Sequence, residues 1–391
     1  MREKWVLTGK PETLPSWRWA AFASRSWSRR FACGLAVSGV ALAGGGWLAV
    51  SGYNARASLK AQYLPPPSIP FPSENPFTVM KADLGRALFF DKRLSGSQTM
   101  SCATCHQPEK GWSDGRSRPV EDSGQPMALR TPTLIDDAWT PLLGWDGKFA
   151  DLESVTRLIF RSGGTMNLDE GVALKRLSAD PDYSRGFAAA FPDHQISGRN
   201  LAAAIATFER LVVTQGDSPF DRWIAGESDA ISPAAKRGFD LFNGRAQCSS
   251  CHSGWAFTDG SFHDIGVATG DDIGRGRYFP SSQKLRYAFK TPTLRGVAQR
   301  GPYMHDGSVR TLAEVIDLYD RGGVPRPSRA EMIRPLHLTA GEKSDLLAFL
   351  QTLSGRISWG DDPPLPVDRD QNSLGRPAPS STSPPISSRP P

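Results

Sequence analysis

The chain has 391 residues, 22% of them charged, and a formal net charge of +6. The excess is local: residues 1–57 carry eight Lys or Arg against Glu3 and Glu12, while the remainder balances at 38 basic and 38 acidic. That distribution excludes a phosphate-binding surface for nucleic acid and reads as a targeting feature.

Within residues 1–57 an apolar run, Phe31 to Tyr53, follows Arg29-Arg30. It is long enough to cross a bilayer with its basic flank in the cytoplasm. Five glycines between Gly34 and Gly46 weaken it as an anchor, and Ala55-Arg56-Ala57 is a small-x-small cleavage site. Residues 1–57 therefore read as a signal peptide or an N-terminal membrane anchor. Either one exports the remainder to the bacterial periplasm, and an uncut anchor tethers it to the inner membrane. Cys33 lies in this run and has no part in the chemistry. Residues 58–75, with Pro65, Pro66, Pro67, Pro70 and Pro72, read as an extended spacer. Residues 357–391 hold nine prolines and many serines, the composition of a disordered tail.

Between them, 76–230 and 231–356 are long enough for two domains. Helices are expected at Leu84–Phe90 and at Asn200–Val213, where Leu201, Ala204, Ile205, Phe208, Leu211 and Val212 share one face. Ser232-Pro233 opens another toward Phe242, with Ser at the N-cap and Pro at N1. Thr311–Tyr319 and Thr339–Leu353 follow, the latter with the capping box Thr339-Ala340-Gly341-Glu342. No strand pattern is evident, so the fold class is all-α.

Four of the five cysteines fall in two Cys-x-x-Cys-His motifs, Cys102–His106 and Cys248–His252. Each supplies two thiols for covalent attachment of a haem and a histidine fixed beside its iron. Structural zinc wants four converging ligands at wider His spacing, and a thioredoxin-type pair wants neither the adjacent His nor a duplicate. Cys102, Cys105, Cys248 and Cys251 are thus read as thioether positions for two haem c groups, with His106 and His252 as axial ligands.

The motifs belong to a repeat. Cys102–His106 is followed by Ser113-Asp114-Gly115, Arg130-Thr131-Pro132-Thr133-Leu134, Asp146-Gly147 and Leu152-Glu153. Cys248–His252 is followed by Thr258-Asp259-Gly260, Lys290-Thr291-Pro292-Thr293-Leu294, Asp306-Gly307 and Leu312-Ala313-Glu314. From the first threonine to Asp-Gly is 15 residues in both halves, and from that Asp to the Leu is six. The reading is two cytochrome c-like haem domains in tandem with long haem-wrapping loops.

With the repeat in view, the chain resembles the bacterial dihaem cytochrome c peroxidases and their MauG-like relatives. The matching stretches include Leu84–Asp91, both haem motifs, Gly144-Trp145-Asp146-Gly147-Lys148, Pro219-Phe220-Asp221-Arg222 and Pro302-Tyr303-Met304-His305-Asp306-Gly307. They span about 80–355, nearly all of the part expected to fold. The resemblance implies a peroxidatic haem in the first domain and an electron-transfer haem in the second. It also implies hydrogen peroxide as substrate. The electron source is a small cytochrome c, a cupredoxin or a side chain of a protein substrate, and a homodimer fits the family.

The sixth ligand of the second iron has three candidates. Tyr319 stands where the family puts its ligating Met or Tyr; Met304 and Met332 are the soft alternatives, and Met304 sits inside a family motif at a position that is often aromatic, which favours packing near the haem over ligation. A phenolate favours ferric and higher states, whereas Met raises the potential. The repeat position of Tyr319 in the first half is Ile159, which cannot bind iron, and Asp122 stands where family members needing prior reduction have a distal His. The first haem is therefore expected to be open. Trp145 matches the tryptophan between the haems, an electron relay or a packed aromatic. Its counterpart is His305.

Two departures matter. The family's distal Glu corresponds to Thr165, followed by Met166, and threonine donates a hydrogen bond without titrating near neutrality. Asp169 and Glu170 are the acids within reach of it. The family's calcium-ligating Asn corresponds to Arg130, a fixed cation that disfavours calcium there even with carbonyls of Arg300 and Pro302 nearby. The leading expectation is an exported dihaem peroxidase. The alternatives are a dihaem electron carrier without peroxidase activity and a membrane-attached redox sensor.

Overall fold

The computed structural model describes residues 61–161 and 165–360; the targeting segment over 1–57 and the tail from 361 lie outside them. The helices are α1 (Val79–Phe90), α2 (Cys102–Cys105), α3 (Leu152–Arg161), α4 (Glu170–Ser178), α5 (Pro181–Ala190), α6 (Gly198–Glu209), α7 (Pro219–Ala225), α8 (Pro233–Asn243), α9 (Leu312–Arg321) and α10 (Ala340–Gln351). Among the described residues none is long and apolar enough to cross a membrane. Among the described residues four two-residue strands accompany them: β1 (Val213–Thr214) pairs antiparallel with β4 (Ile357–Ser358), and β2 (Phe262–His263) with β3 (Phe289–Lys290).

Each half is built on one close helix pair, α1 on α6 and α8 on α10. Both pairs cross at a glycine. A Cβ on Gly85 would sit 1.9 Å from the Ala204 carbonyl oxygen, and one on Gly238 2.0 Å from that of Asp345. The same Gly-x-x-Leu-Phe run starts at both glycines, so the duplication extends upstream of the haem motifs. Phe89 and Phe242 end those runs fully buried, one in each core. Burying such a side chain contributes roughly 1.5–3 kcal/mol.

Local signals set the helix starts. Ser232 Oγ accepts the Ala235 N–H at 3.1 Å with Pro233 at N1 of α8, and Thr339 and Glu342 form the capping box of α10. Thr311 and Glu314 form another at α9. The helix expected over Asn200–Val213 stops earlier, at Glu209. Leu211 and Val212 are buried beyond it, and the β-branched Val213-Thr214 leaves to pair with Ile357-Ser358.

Two flanks are more structured than composition suggests. In the Pro-rich spacer, Tyr63 is buried among Phe220, Phe239 and Phe257 at ring distances of 4.9–5.5 Å, and its hydroxyl donates to Asn243. Disorder from 357 onward is corrected for 357–360. Ile357 and Trp359 pack against the first core, which an apolar side chain at every second position of a strand allows.

Candidate haem sites

His106 is the C-cap residue of α2, and its Nδ1 donates to the Trp112 carbonyl at 3.2 Å; His252 Nδ1 donates to the Phe257 carbonyl at 2.9 Å. Trp112 and Phe257 both have left-handed backbone, at φ 60° and 52°, which turns each carbonyl onto its imidazole. Burial pushes both imidazoles below the usual range, so each is neutral with Nε2 left as the donor atom for iron. The four motif cysteines are free thiols, each half-buried. Cys251, Asp259 and His263 hold ligand atoms within 4.8 Å of one another, and Cys251 is also the second thiol of the second Cys-x-x-Cys-His motif.

In the second half, Cys248, Cys251 and His252 open onto a cavity of about 380 Å³. Val315, Ile316, Leu346 and Leu350 give it an apolar wall, and Tyr319, Met304 and Met332 all line it, so the structure brings the three ligand candidates to one chamber. Burial, followed by the neighbouring Cys248 and Cys251, pushes the Tyr319 phenol well up, so a proton leaves it only if a cation takes its place. Met304 has φ 72° where its repeat counterpart Gly144 has φ 80°, so the same turn is kept with a methionine in a conformation that favours glycine.

Arg130 and Arg300 also line the chamber, both buried, and the Nε of each lacks a hydrogen-bond partner. Burial pushes each guanidinium down to about 10, which leaves both charged at neutral pH. Two buried cations with spare N–H groups beside an apolar chamber want anionic oxygens, and haem propionates are such groups. The residues fit haem. The Arg130 Nη2 donates to Ser113 Oγ at 3.1 Å and to the Arg300 carbonyl, one of the oxygens weighed as a calcium ligand.

Between the halves, equivalent residues exchange equivalent bonds. The Arg130 N–H donates to the His305 carbonyl at 2.9 Å, and the Lys290 N–H to the Trp145 carbonyl at 2.8 Å. Because Arg130 matches Lys290 and Trp145 matches His305, this seam is a pseudo-two-fold contact of the repeat with itself. Trp145 is buried, lines the chamber and donates its indole N–H to the Arg130 carbonyl at 2.8 Å. His305 stacks on Phe289 with ring centres 3.6 Å apart and bonds Asp272 at 2.9 Å.

On the first side, Thr165 is half-buried, and its carbonyl accepts the Asp122 N–H at 3.1 Å. The positions of the family's distal Glu and distal His thus meet through the backbone. The Asp122 carboxylate is held by the N–H and hydroxyl of Ser97. Asp169 is not brought in as a distal acid: it caps α4, accepting the Val172 N–H at 3.2 Å, while Glu170 is packed beside Gly198. Ile159 lies half-buried on α3. The unpartnered Nε of Arg300 and the strap carrying Trp359 were not legible, since neither belongs to a motif.

The family model for di-haem cytochrome c peroxidases matches residues 79–229, and that for cytochrome c matches 235–354. The methylamine utilization protein MauG of Methylorubrum extorquens is 46% identical over 312 residues, which is 79% of this chain and 88% of that protein. The chain belongs to the di-haem cytochrome c peroxidase and MauG family. The MauG of Methylophilus methylotrophus is 44% identical over 79% of this chain and 92% of its own length. A solved MauG-like protein associated with microbial copper homeostasis aligns with a TM-score of 0.69 at 34% identity, covering 75% of this chain and 93% of that one. As a member of this dihaem peroxidase family the chain is an oxidoreductase, its Cys-x-x-Cys-His motifs carry covalent haem c, and it acts on hydrogen peroxide with an electron donor.

Proposed function

We propose that this is an exported, periplasmic enzyme that reduces hydrogen peroxide at the first haem. Its electrons arrive through the second haem, from a small cytochrome c or cupredoxin or from a protein side chain in the MauG-like manner. The observation that carries the reading is the seam: Trp145 borders the second-haem chamber while bonded to Arg130 and Lys290, groups of both halves. A buried indole fixed at both its ring and its carbonyl is a suitable fixed relay.

Bound haem supplies an iron that cleaves the O–O bond and passes electrons singly, so that peroxide, two electrons and two protons give two waters. The residues do the rest. His106 and His252 donate from Nδ1 to carbonyls, which fixes their tautomer and makes Nε2 a better ligand. Arg130 and Arg300 would hold propionate charge with their spare N–H groups. Thr165 offers a hydroxyl but no titrating proton, and Asp122, which meets Thr165 only through the backbone, spends its carboxylate on Ser97, so proton delivery on the distal side falls to water. Tyr319 would hold the iron of the second haem together with His252, with Met304 as the alternative.

EPR and optical titration of the ferric protein with hydrogen peroxide tests this. A high-spin signal that disappears on peroxide addition, with a new optical spectrum, is expected. Two low-spin haems that ignore peroxide make the chain an electron carrier. Tyr319→Phe is expected to change the low-spin signal, and Met304→Leu to leave it; the converse assigns the ligand to Met304.

A further inference from the structure

On the His106 side of the first haem, two indoles lead from the proximal ligand to the surface. Trp112 is 1% exposed, and its carbonyl accepts the proton of His106 Nδ1. Its ring centre lies 5.8 Å from that of Trp359, edge to face. Trp359 is half-buried at the surface, against Phe90 and under the Arg86 guanidinium, whose carbon is 4.6 Å from the ring centre. The strand pair β1–β4 holds it there, on the strap that returns from the second half to cover the first. In the second half the position of Trp112 belongs to Phe257, a ring too hard to oxidise to serve as a station.

We propose that Trp359 and Trp112 form an electron path into the first haem that bypasses the second and discharges peroxide equivalents when no donor protein is bound. The path rests on the peroxidase reading above. Trp112 gives one electron toward the haem and recovers it from Trp359. Arg86 over the Trp359 ring disfavours a charged radical, so Trp359 releases its N–H proton to solvent as it loses the electron. A one-electron donor then restores it. Without one, a second electron leaves by the same path and water adds to the ring with loss of a further proton. Overall, tryptophan plus hydrogen peroxide gives hydroxytryptophan plus water, and the two electrons taken from the ring reduce the peroxide.

The test uses the holoprotein with stoichiometric hydrogen peroxide and no donor, followed by peptide mass spectrometry and by the optical decay of the peroxide-oxidised state. One added oxygen is expected at Trp359. Trp359→Phe should slow the decay several-fold while the oxidised state forms at the same rate, and Trp359→Tyr, which keeps an oxidisable ring, should restore it. Trp112→Phe should abolish the modification of Trp359 although that residue stays accessible. If Trp359 is modified equally in Trp112→Phe, bulk peroxide attacks it and the path is wrong. If the oxidised state forms but Trp359 stays unmodified and Trp359→Phe decays like the parent, the path is overturned and the peroxidase reading stands. If no oxidised state forms, both fall together.

Discussion

Glu209 ends α6 in the interior, 7% exposed, with Oε2 lacking any partner. The adjacent Arg210 is committed elsewhere, donating to both carboxylate oxygens of Glu153 at 2.8 and 2.9 Å. Burial first, and Asp137 second, push the Glu209 carboxyl from 4.5 up to about 8, with Glu153 adding to the rise and Arg210 opposing it. Glu209 is therefore protonated in the folded protein at neutral pH, whereas the unfolded chain loses that proton near 4.5. The folded state binds more protons between those values, so stability contributed by Glu209 is full below about 4.5 and is lost as pH rises through about 8. At about 1.4 kcal/mol per pH unit the swing is on the order of 5 kcal/mol, an upper bound because water entry softens it. Urea unfolding of the holoprotein at steps between about pH 5 and pH 9, against Glu209→Gln, measures it. The parent midpoint should fall across that window and the variant's should fall less, leaving Glu209→Gln the more stable at the alkaline end. Parallel profiles for the two proteins would show that Glu209 is ionised when folded, and the burial argument would be wrong.

The glycine crossings predict half-selective damage. Gly85→Ala drives a methyl into the Ala204 carbonyl and Gly238→Ala into that of Asp345, so each should cost about 1–3 kcal/mol or more despite alanine's better helix propensity. Gly85→Ala should disturb the EPR signal of the first haem and Gly238→Ala that of the second; equal loss of both signals in either variant counts against independent cores. Calcium removal is the third test. With the Arg130 guanidinium on the Arg300 carbonyl, chelation by EDTA should leave both the unfolding midpoint and the peroxide response unchanged. A drop restored by added calcium would mean that Arg130 does not take the cation's role.

What the sequence made legible follows the range of the interactions involved. Cys-x-x-Cys-His is a local motif whose spacing carries its own chemistry, and Ser232-Pro233 and Thr339–Glu342 cap their helices through bonds that span three residues. The repeat added long-range information, because aligning Arg130 with Lys290 and Trp145 with His305 paired the four residues that form the seam. Its limits are those of one-dimensional pattern. Trp359 lies in a Pro/Ser-rich stretch whose average composition says disorder, yet two backbone pairs with Val213-Thr214 and one indole against Trp112 hold it to the first core. Tyr63 hides the same way in a Pro-rich spacer: one aromatic side chain that finds a Phe-lined pocket outweighs five prolines, which cost little where the chain is already extended. Asp169 shows the opposite error. An acid near the vacant glutamate position suggests catalysis, but a residue one step before a helix usually serves the helix's free N–H groups, and its bond to Val172 shows that it does so here. Asp122 gave no such local signal, and only the fold sets it beside Thr165. Its carboxylate in turn serves Ser97, so proton delivery beside Thr165 passes from the nearby loop acids to water.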